Sequence, residues 1–367
     1  MKIVIFGLTI SSTWGNGHAT LWRGLCRALA RRGHRITFFE RDVSYYAGAR
    51  DCYAIPGGDL VLYGDWPGIE WRAVQELADA DVGIVTSYCP DGIGASELVV
   101  AAPHALAVFY DLDTPVTLGR LARGETLPYI GAAGLRDFDL VLSYTGGKAI
   151  EQLRVRLGAR RVMPMYGHVD PEVHQPAAAT ARYRADLSYL GTFAADRQDA
   201  LEALFIEPAR GLPHKRFLIG GAQYPQDFPW SNNIFFVRHL PASEHPAFFS
   251  SSRLTLNITR RDMAAMGWCP SGRLFEAAAC GGCVVSDSWD GLEQFFRPDA
   301  EILVAREPRD IVSALELSDA EIARIGTAAR ERAIAEHTSE HRAQELLASF
   351  ELPTNRFAER QPEPIEA

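Results

Sequence analysis

The chain has 367 residues, 47% of them hydrophobic and 23% charged, an ordinary composition for a soluble globular protein. Its net charge of −9 argues against stable binding to nucleic acid, because phosphate recognition needs a concentrated basic surface. No apolar run approaches the roughly 18 residues of a membrane span, and the apolar start at Met1 is too short for a signal peptide. We therefore expect a cytoplasmic protein of about two domains.

Short apolar runs alternate with amphipathic segments through the first half of the chain. Strands that are apolar along their whole length and separated by helices are typical of a parallel sheet covered on both faces. Helices are predicted at residues 18–32, 69–80 and 146–157. Strands are predicted at residues 2–6, 35–40, 59–63, 82–86, 105–110, 140–143 and 161–165.

A proline-containing stretch without periodicity, residues 166–185, interrupts this alternation and is typical of a linker. Beyond it, strands are predicted at residues 187–191, 216–220, 234–237, 254–258, 283–287 and 301–304, and residues 308–350 are predicted to be helical. The pattern indicates an α/β protein with two doubly wound, Rossmann-like domains, residues 1–173 and 174–350. Residues 351–367 are predicted to be a disordered tail. We expect a ligand cleft between the two domains, at the carboxyl ends of their sheets.

The six cysteines are scattered along the chain, which is large enough to fold without disulfides. Cys280 and Cys283 form a C-x-x-C motif, but a helix precedes it and a strand follows, the reverse of a redox-active pair. A single motif also lacks the second ligand pair of a structural zinc site. We predict two buried packing residues here, and no metal site in the protein.

The loop after the first strand contains Gly15 and Gly17, and a helix begins beside them at His18. Glycines allow the backbone to approach a ligand, and a helix N-terminus offers free N–H groups to an anion. A nicotinamide-binding fingerprint with Glu40 as its acid is the alternative. It is disfavoured because Thr20 replaces the third glycine and the loop is too long for a tight turn. His18 is a candidate catalytic base, with a structural role at the helix start as the alternative.

Asp111 and Asp113 lie at the end of a predicted strand, just before Pro115. Such a pair could accept a proton from a sugar hydroxyl or contribute to a metal site, although no further oxygen ligands are evident. A turn stabilised by an aspartate side chain is the structural alternative.

Candidate ligand-binding residues in the second half also lie at strand ends and helix starts. Arg273 and Glu276 are three residues apart, so they lie on one face of a short helix that ends at a double glycine. The arginines could neutralise a diphosphate, and an exposed surface position is the alternative for Arg197. The full set is Gly191, Thr192, Arg197, Arg260, Ser271, Gly272, Arg273 and Glu276.

These motifs together resemble the CgeB-like (spore-protein-like) branch of the GT-B glycosyltransferases, related to the group 1 glycosyl transferases. The resemblance covers about residues 1–335 and rests on the order and spacing of the motifs. The matching segments are Asp111–Pro115, Tyr189–Thr192 with Asp196 and Arg197, Arg273–Gly281, Gly291–Glu293 and Phe295–Phe296.

The resemblance implies a GT-B fold and a hexosyltransferase-like activity. A nucleoside-diphosphate sugar would be the co-substrate, and no other cofactor would be needed. Glu276 would bind the ribose hydroxyls, Arg197 or Arg260 the phosphates, and the backbone N–H groups of Ser271 and Gly272 would face the same ligand. The first domain would bind the acceptor.

Related retaining enzymes carry an E-x7-E pattern ending at the position of Glu276, and here Trp268 replaces the first acid. The stereochemistry therefore stays open. An inverting reaction needs a base, for which His18, Asp111 and Asp113 are the candidates, whereas a retaining reaction can use the departing phosphate oxygen.

Two other functions stay open at the level of sequence. One is a sugar-nucleotide epimerase or hydrolase with the same fold, and the other is a binding protein without chemistry. The acceptor is equally open: a sugar, a protein side chain, a lipid-linked intermediate or a nucleobase all fit.

Overall fold

The structure, a computed structural model, describes residues 1–351. All of the predicted tail except Glu351 lies outside these residues. The first sheet consists of seven parallel strands in the order β3-β2-β1-β4-β5-β6-β7. They are β1 (Lys2–Gly7), β2 (Arg35–Arg41), β3 (Gly58–Tyr63), β4 (Val82–Thr86), β5 (Leu106–Asp111), β6 (Leu140–Ser143) and β7 (Val162–Pro164).

The second sheet has six parallel strands in the order β10-β9-β8-β11-β12-β13, which repeats the order of the first six positions of the first sheet. They are β8 (Ala185–Leu190), β9 (Phe217–Gly221), β10 (Ile234–Arg238), β11 (Ser252–Asn257), β12 (Cys283–Asp287) and β13 (Leu303–Ala305).

Helices connect the strands within both sheets. In the first half they are α1 (His18–Arg31), α2 (Ser44–Ala47), α3 (Trp66–Ala78), α4 (Gly92–Ala101), α5 (Thr114–Ala122) and α6 (Lys148–Leu157). In the second half they are α7 (Gln198–Leu201), α8 (Glu207–Gly211), α9 (His245–Ser251), α10 (Arg261–Met266), α11 (Gly272–Ala279), α12 (Pro308–Glu316), α13 (Asp319–Glu336) and α14 (Ser339–Glu351). Short 3-10 turns begin at Ala195, Ala242 and Leu292, and a π-helical turn joins α7 to α8.

Successive residues of β1 enter two different hydrophobic cores, one on each face of the first sheet. Ile3 and Ile5 pack into the core under α1, whereas Val4 and Phe6 pack into the core on the opposite face. All four side chains are fully buried. This two-sided burial explains why the strand is apolar at every position, the pattern from which the parallel sheet is predicted.

Each of the thirteen strands overlaps a segment predicted as a strand, and the two Rossmann-like sheets confirm the predicted fold class. Helix α4 was not predicted, because its sequence GIGASELVVA is apolar on almost every face and lacks helical periodicity. The cysteine prediction is confirmed: Cys280 and Cys283 are buried, unpaired thiols, and burial raises the pKa of each to about 12.

Each sheet has one switch point, where the order of its strands reverses: between β1 and β4 in the first sheet, and between β8 and β11 in the second. Loops that leave the carboxyl ends of parallel strands at such points form ligand sites. After the second sheet the chain returns to the first domain. There α14 packs against α1, and Glu340 of α14 forms an ion pair with Arg32 of the segment after α1.

The division into residues 1–173 and 174–350 stays a prediction. Across the described residues, no helix combines the length and apolarity needed to cross a membrane.

Candidate active site

The loop between β1 and α1 is fixed by the buried carboxylate of Glu40. That carboxylate accepts hydrogen bonds from the Thr9 hydroxyl (2.7 Å) and from the backbone N–H groups of Ile10 (2.8 Å) and Ser11 (2.9 Å). Its oxygens are therefore committed to the loop and are not free for a ribose. The nicotinamide-binding alternative is therefore disfavoured, because Glu40, the acidic residue that would bind the ribose, is not free to do so.

His18 begins α1 and faces a carboxylate that follows β5. Its Nε2 lies 3.8 Å from Oδ2 of Asp113, and its buried Nδ1 has no hydrogen-bond partner within residues 1–351. Gly17, the residue before it, provides no side-chain cap, and a Cβ placed there would meet no atom within 4 Å. The helix N-terminus thus opens onto free space, as a ligand site requires.

Asp113 is one of the residues through which the two domains make contact. It accepts a hydrogen bond from the Tyr88 hydroxyl (2.9 Å), and Nη1 of Arg260, from the second domain, lies 3.9 Å away. Burial alone would raise the pKa of the Asp113 carboxyl, but His18, Arg260 and Tyr88 together lower it. Asp113 is therefore a carboxylate at neutral pH. The sequence analysis missed Tyr88, although its position just after β4 is the same signal that identified Asp113 after β5.

Asp111, two residues before Asp113, points into the interior of the first domain and not toward His18. It is fully buried, and its Oδ1 accepts hydrogen bonds from the Thr117 hydroxyl (3.0 Å) and the Asp113 backbone (3.2 Å). Burial raises the pKa of its carboxyl to about 6. The structure thus brings Asp113, but not Asp111, together with His18 at the cleft.

The second domain contributes Arg260 to a cleft of about 370 Å³ that includes Val116 and Asp262. Arg260 Nε donates to Asp196 Oδ2 at 2.8 Å, and this ion pair raises the pKa of the guanidinium even though burial lowers it. Asp196 already neutralises most of the charge of Arg260. Arg260 is thus better placed to connect the domains than to neutralise a diphosphate.

Arg197 and Arg273 carry positive charge that no carboxylate neutralises within residues 1–351. Arg197 donates only a long hydrogen bond (3.4 Å) to the Thr192 carbonyl, and its buried Nε has no partner. Arg273 is partly buried, and burial together with the nearby positive charge of Arg197 lowers the pKa of its guanidinium. A buried cation without a counter-ion is costly unless a ligand supplies the negative charge.

Three neighbours hold the Arg273 side chain in place. Its Nη1 donates to Asn257 Oδ1 (3.0 Å), and its guanidinium lies 5.1 Å from the centre of the Tyr189 ring. Gly191 leaves room for Tyr189 and Arg273 together, because a Cβ at that position would approach Tyr189 Oη to 2.7 Å and Arg273 Nη2 to 2.9 Å. The packing of these two side chains favours glycine here, a reason that the sequence alone did not give.

Arg273 is the second residue of helix α11, so it lies at the N-terminal end of this helix. Ser271 occupies its N-cap position, but the hydroxyl donates to Asn257 Oδ1 (2.7 Å) instead of capping the helix. The first turn contains no acidic residue, so its backbone N–H groups and dipole favour an anion. Gly272 lies against Leu21 of α1, with 3.6 Å between its Cβ position and Leu21 Cδ2, so this turn borders the first domain.

Glu276, one turn further along α11, is buried between the domains. Its Oε1 accepts a hydrogen bond from the Thr20 hydroxyl (2.9 Å), and His174 and His245 each approach the carboxylate to 3.7 Å. Burial alone would raise the pKa of Glu276, but the two histidines and Thr20 lower it to about 2. The sequence analysis identified Glu276 but not these neighbours, which come from distant segments.

Trp268, the residue in place of the first acid of the E-x7-E pattern, supplies backbone contacts instead. Its N–H donates to the Asp290 carbonyl (2.7 Å), and its carbonyl accepts from the Gly146 N–H (2.8 Å) of the first domain. Its φ of 45° is unusual for a residue with a side chain. The backbone at this position thus links the two domains.

The C-terminal part of the chain, residues 197–348, matches the family model described as Glycosyl transferase-like. Among curated proteins, none matches the sequence. Among solved structures, the chain is similar to sucrose-phosphate synthase from Thermosynechococcus elongatus, with a TM-score of 0.66 and 13% identity over 98% of this chain and 100% of that one.

Two further solved structures are similar over nearly the whole chain. For HepE from Anabaena in complex with UDP and glucose, the TM-score is 0.66 and the identity 12%, over 96% of this chain and 100% of that one. For an alpha-glucosyltransferase in complex with UDP-glucose and DNA containing an abasic site, the values are 0.68 and 14%, over 95% and 99%. The chain therefore has the GT-B fold, in which two Rossmann-like domains face each other across a cleft.

Proposed function

We propose that this protein is a glycosyltransferase that moves a sugar from a nucleoside-diphosphate sugar to an acceptor. The observation that carries the proposal is that Arg197 and Arg273, beside the uncapped start of α11, form no ion pair within residues 1–351. Positive charge and free N–H groups at one point of an interdomain cleft suit a diphosphate leaving group, whose departure they would assist. The GT-B fold and the family match over residues 197–348 support the same activity.

The donor would lie along α11. Its diphosphate would contact Arg197, Arg273 and the first N–H groups of α11, including that of Gly272. Its ribose hydroxyls would donate to the ionised carboxylate of Glu276, beside the Thr20 hydroxyl that already donates to it. The solved complexes of HepE with UDP and of the alpha-glucosyltransferase with UDP-glucose support a donor of this kind.

The sugar would extend from the diphosphate toward the first domain, where His18 and Asp113 lie. In an inverting reaction, His18 would take the acceptor proton, and Asp113 would orient the imidazole and stabilise its cation. The separation of 3.8 Å suits such a pair before substrate binds, because catalytic hydrogen bonds often shorten in the substrate complex. In a retaining reaction, the same two groups would contact the transferred sugar. We further propose, from the motif resemblance that includes Asp111–Pro115 and Arg273–Gly281, that the protein belongs to the CgeB-like branch.

The test is to incubate the protein with a panel of nucleotide sugars and pooled acceptors and to measure the release of nucleoside diphosphate. We expect release from one donor that depends on acceptor, and a product whose anomeric configuration, read by NMR, distinguishes inversion from retention. Equal release without acceptor would indicate a hydrolase or an epimerase instead. Binding without any release would indicate a protein that only binds the nucleotide sugar.

A further inference from the structure

Three side chains from distant segments direct their polar atoms at a common point beside the cleft. His174 lies in the segment between the two sheets, His245 begins α9, and Glu276 lies on α11. One ligand atom from each lies within 4.8 Å of the others. We propose that these three residues form a binding site for a divalent transition-metal ion of the Zn²⁺ type.

The distances between these atoms suit ligands of one ion better than they suit hydrogen bonds. His174 Nε2 lies 3.5 Å from His245 Nδ1 and 3.7 Å from Oε1 of Glu276, and His245 Nδ1 lies 3.7 Å from the other carboxylate oxygen, Oε2. Hydrogen bonds of these groups are shorter, at about 2.7–3.2 Å. Ligands on a tetrahedral zinc ion are about 3.3–3.4 Å apart when their bonds are about 2.0–2.1 Å long.

His174 supplies an independent indication. Its side chain is only 2% exposed, and it makes no short hydrogen bond in the part of the chain that the structure describes. Among residues 1–351, Nδ1 has no hydrogen-bond partner, and Nε2 lies near both His245 and Glu276. A buried imidazole with one long hydrogen bond regains little of the hydration that it loses, whereas coordination of an ion by Nε2 would compensate for that loss.

The donor set indicates which ion binds. Two imidazole nitrogens and a carboxylate are typical of zinc sites that keep one position open, whereas Mg²⁺ and Ca²⁺ prefer oxygen ligands alone. The Thr20 hydroxyl, which donates to Glu276 Oε1, is an outer-shell partner that would hold the carboxylate in place. The ion would tie the segment between the sheets to α9 and α11. The sequence analysis predicted no metal site, because these ligands follow no short spacing motif.

The first experiment measures metal uptake by the metal-free, full-length protein without nucleotide, so its result does not depend on the proposed function. Calorimetric titration with ZnCl2 should give one equivalent bound and a higher melting temperature. With Co²⁺ in place of Zn²⁺, visible absorption bands of a nitrogen- and oxygen-ligated ion should appear. No stoichiometric uptake would overturn the proposal, and so would near-ultraviolet thiolate bands, because these would assign the ion to cysteines.

Variants then test the ligands one by one. His245→Ala and Glu276→Gln should each weaken zinc binding more than about 100-fold, because loss of an outer-shell partner alone costs about 10- to 100-fold. His245 is partly exposed, so its variant is expected to fold, and circular dichroism checks this. His214→Ala, at an exposed histidine elsewhere, is the matched control and should bind zinc like the wild type. Equal affinity in His245→Ala and His214→Ala would overturn the assignment.

Discussion

The substitution Arg273→Met separates ligand binding from folding at this site. Methionine keeps most of the apolar stem of the side chain and removes the guanidinium, which lies 5.1 Å from the centre of the Tyr189 ring. Asn257 keeps a partner, because the Ser271 hydroxyl still donates to its Oδ1 at 2.7 Å. The change therefore removes the charge with its contacts to Asn257 and Tyr189, and it leaves no buried acceptor at Asn257 Oδ1 without a donor.

The substitution is expected to weaken nucleotide binding without lowering the stability of the fold. A hydrogen bond to a charged group contributes about 1.5–3 kcal/mol, so the Kd for the nucleoside diphosphate should rise about 10- to 150-fold. The free energy of unfolding should stay about equal or increase, because Arg273 is a partly buried charge that forms no ion pair within residues 1–351. Calorimetric titration with the nucleotide and urea unfolding measure the two quantities.

Two further variants complete this experiment. Arg260→Met should weaken binding less than tenfold, since Asp196 already neutralises that guanidinium at 2.8 Å. Arg309→Met, at an exposed surface pair with Glu307, is the control and should bind like the wild type. If Arg273→Met bound the nucleotide with unchanged affinity, or if it lost several kcal/mol of stability, the arginine would be a structural residue and the phosphate assignment would be wrong.

Three other predictions concern catalysis, packing and pH. Asp113→Asn should lower kcat by about 10²- to 10⁴-fold with little change in nucleotide affinity, and full turnover would exclude an essential role for this carboxylate. Gly191→Ala should displace Arg273 and weaken nucleotide binding, while Gly211→Ala, where a Cβ meets no atom within 4 Å, should have no effect on it. Burial lowers the pKa of His168 to about 4, so the folded state resists protonation and stability should fall as the pH drops from 6.5 to 4. His168→Gln should remove up to about 3 kcal/mol of that fall in urea unfolding at a series of pH values, and an unchanged pH dependence would contradict the assignment.

Much of the fold could be predicted because parallel strands have a strong sequence signal. Ile3, Val4, Ile5 and Phe6 are all buried, so β1 is apolar at every position and is easily told from a helix. The carboxyl ends of such strands are then known, and residues that follow them are expected at one edge of the sheet. The same reasoning predicts that His18, at the start of the helix after β1, faces the cleft.

The rest of the site depends on contacts between segments that are distant in the chain. Nothing near Glu276 in the sequence indicates Thr20, His174 or His245, because α1, the segment between the sheets and α9 meet only in the folded protein. The two aspartates after β5 have the same sequence signal, yet Asp111 is fully buried and Asp113 faces the cleft. Burial of this kind follows from packing against α5, which the residue types alone do not specify.

The measurement that tests the central claim most directly is calorimetric titration of the full-length protein with UDP, GDP, dTDP, ADP and NAD. The account predicts that one nucleoside diphosphate binds, and that Arg273→Met and Glu276→Gln each weaken that binding while both variants stay folded. Loss of the Glu276 contact should cost about 1–3 kcal/mol. Binding of NAD without any nucleoside diphosphate, or a nucleotide affinity that both substitutions leave unchanged, would contradict the proposed donor site.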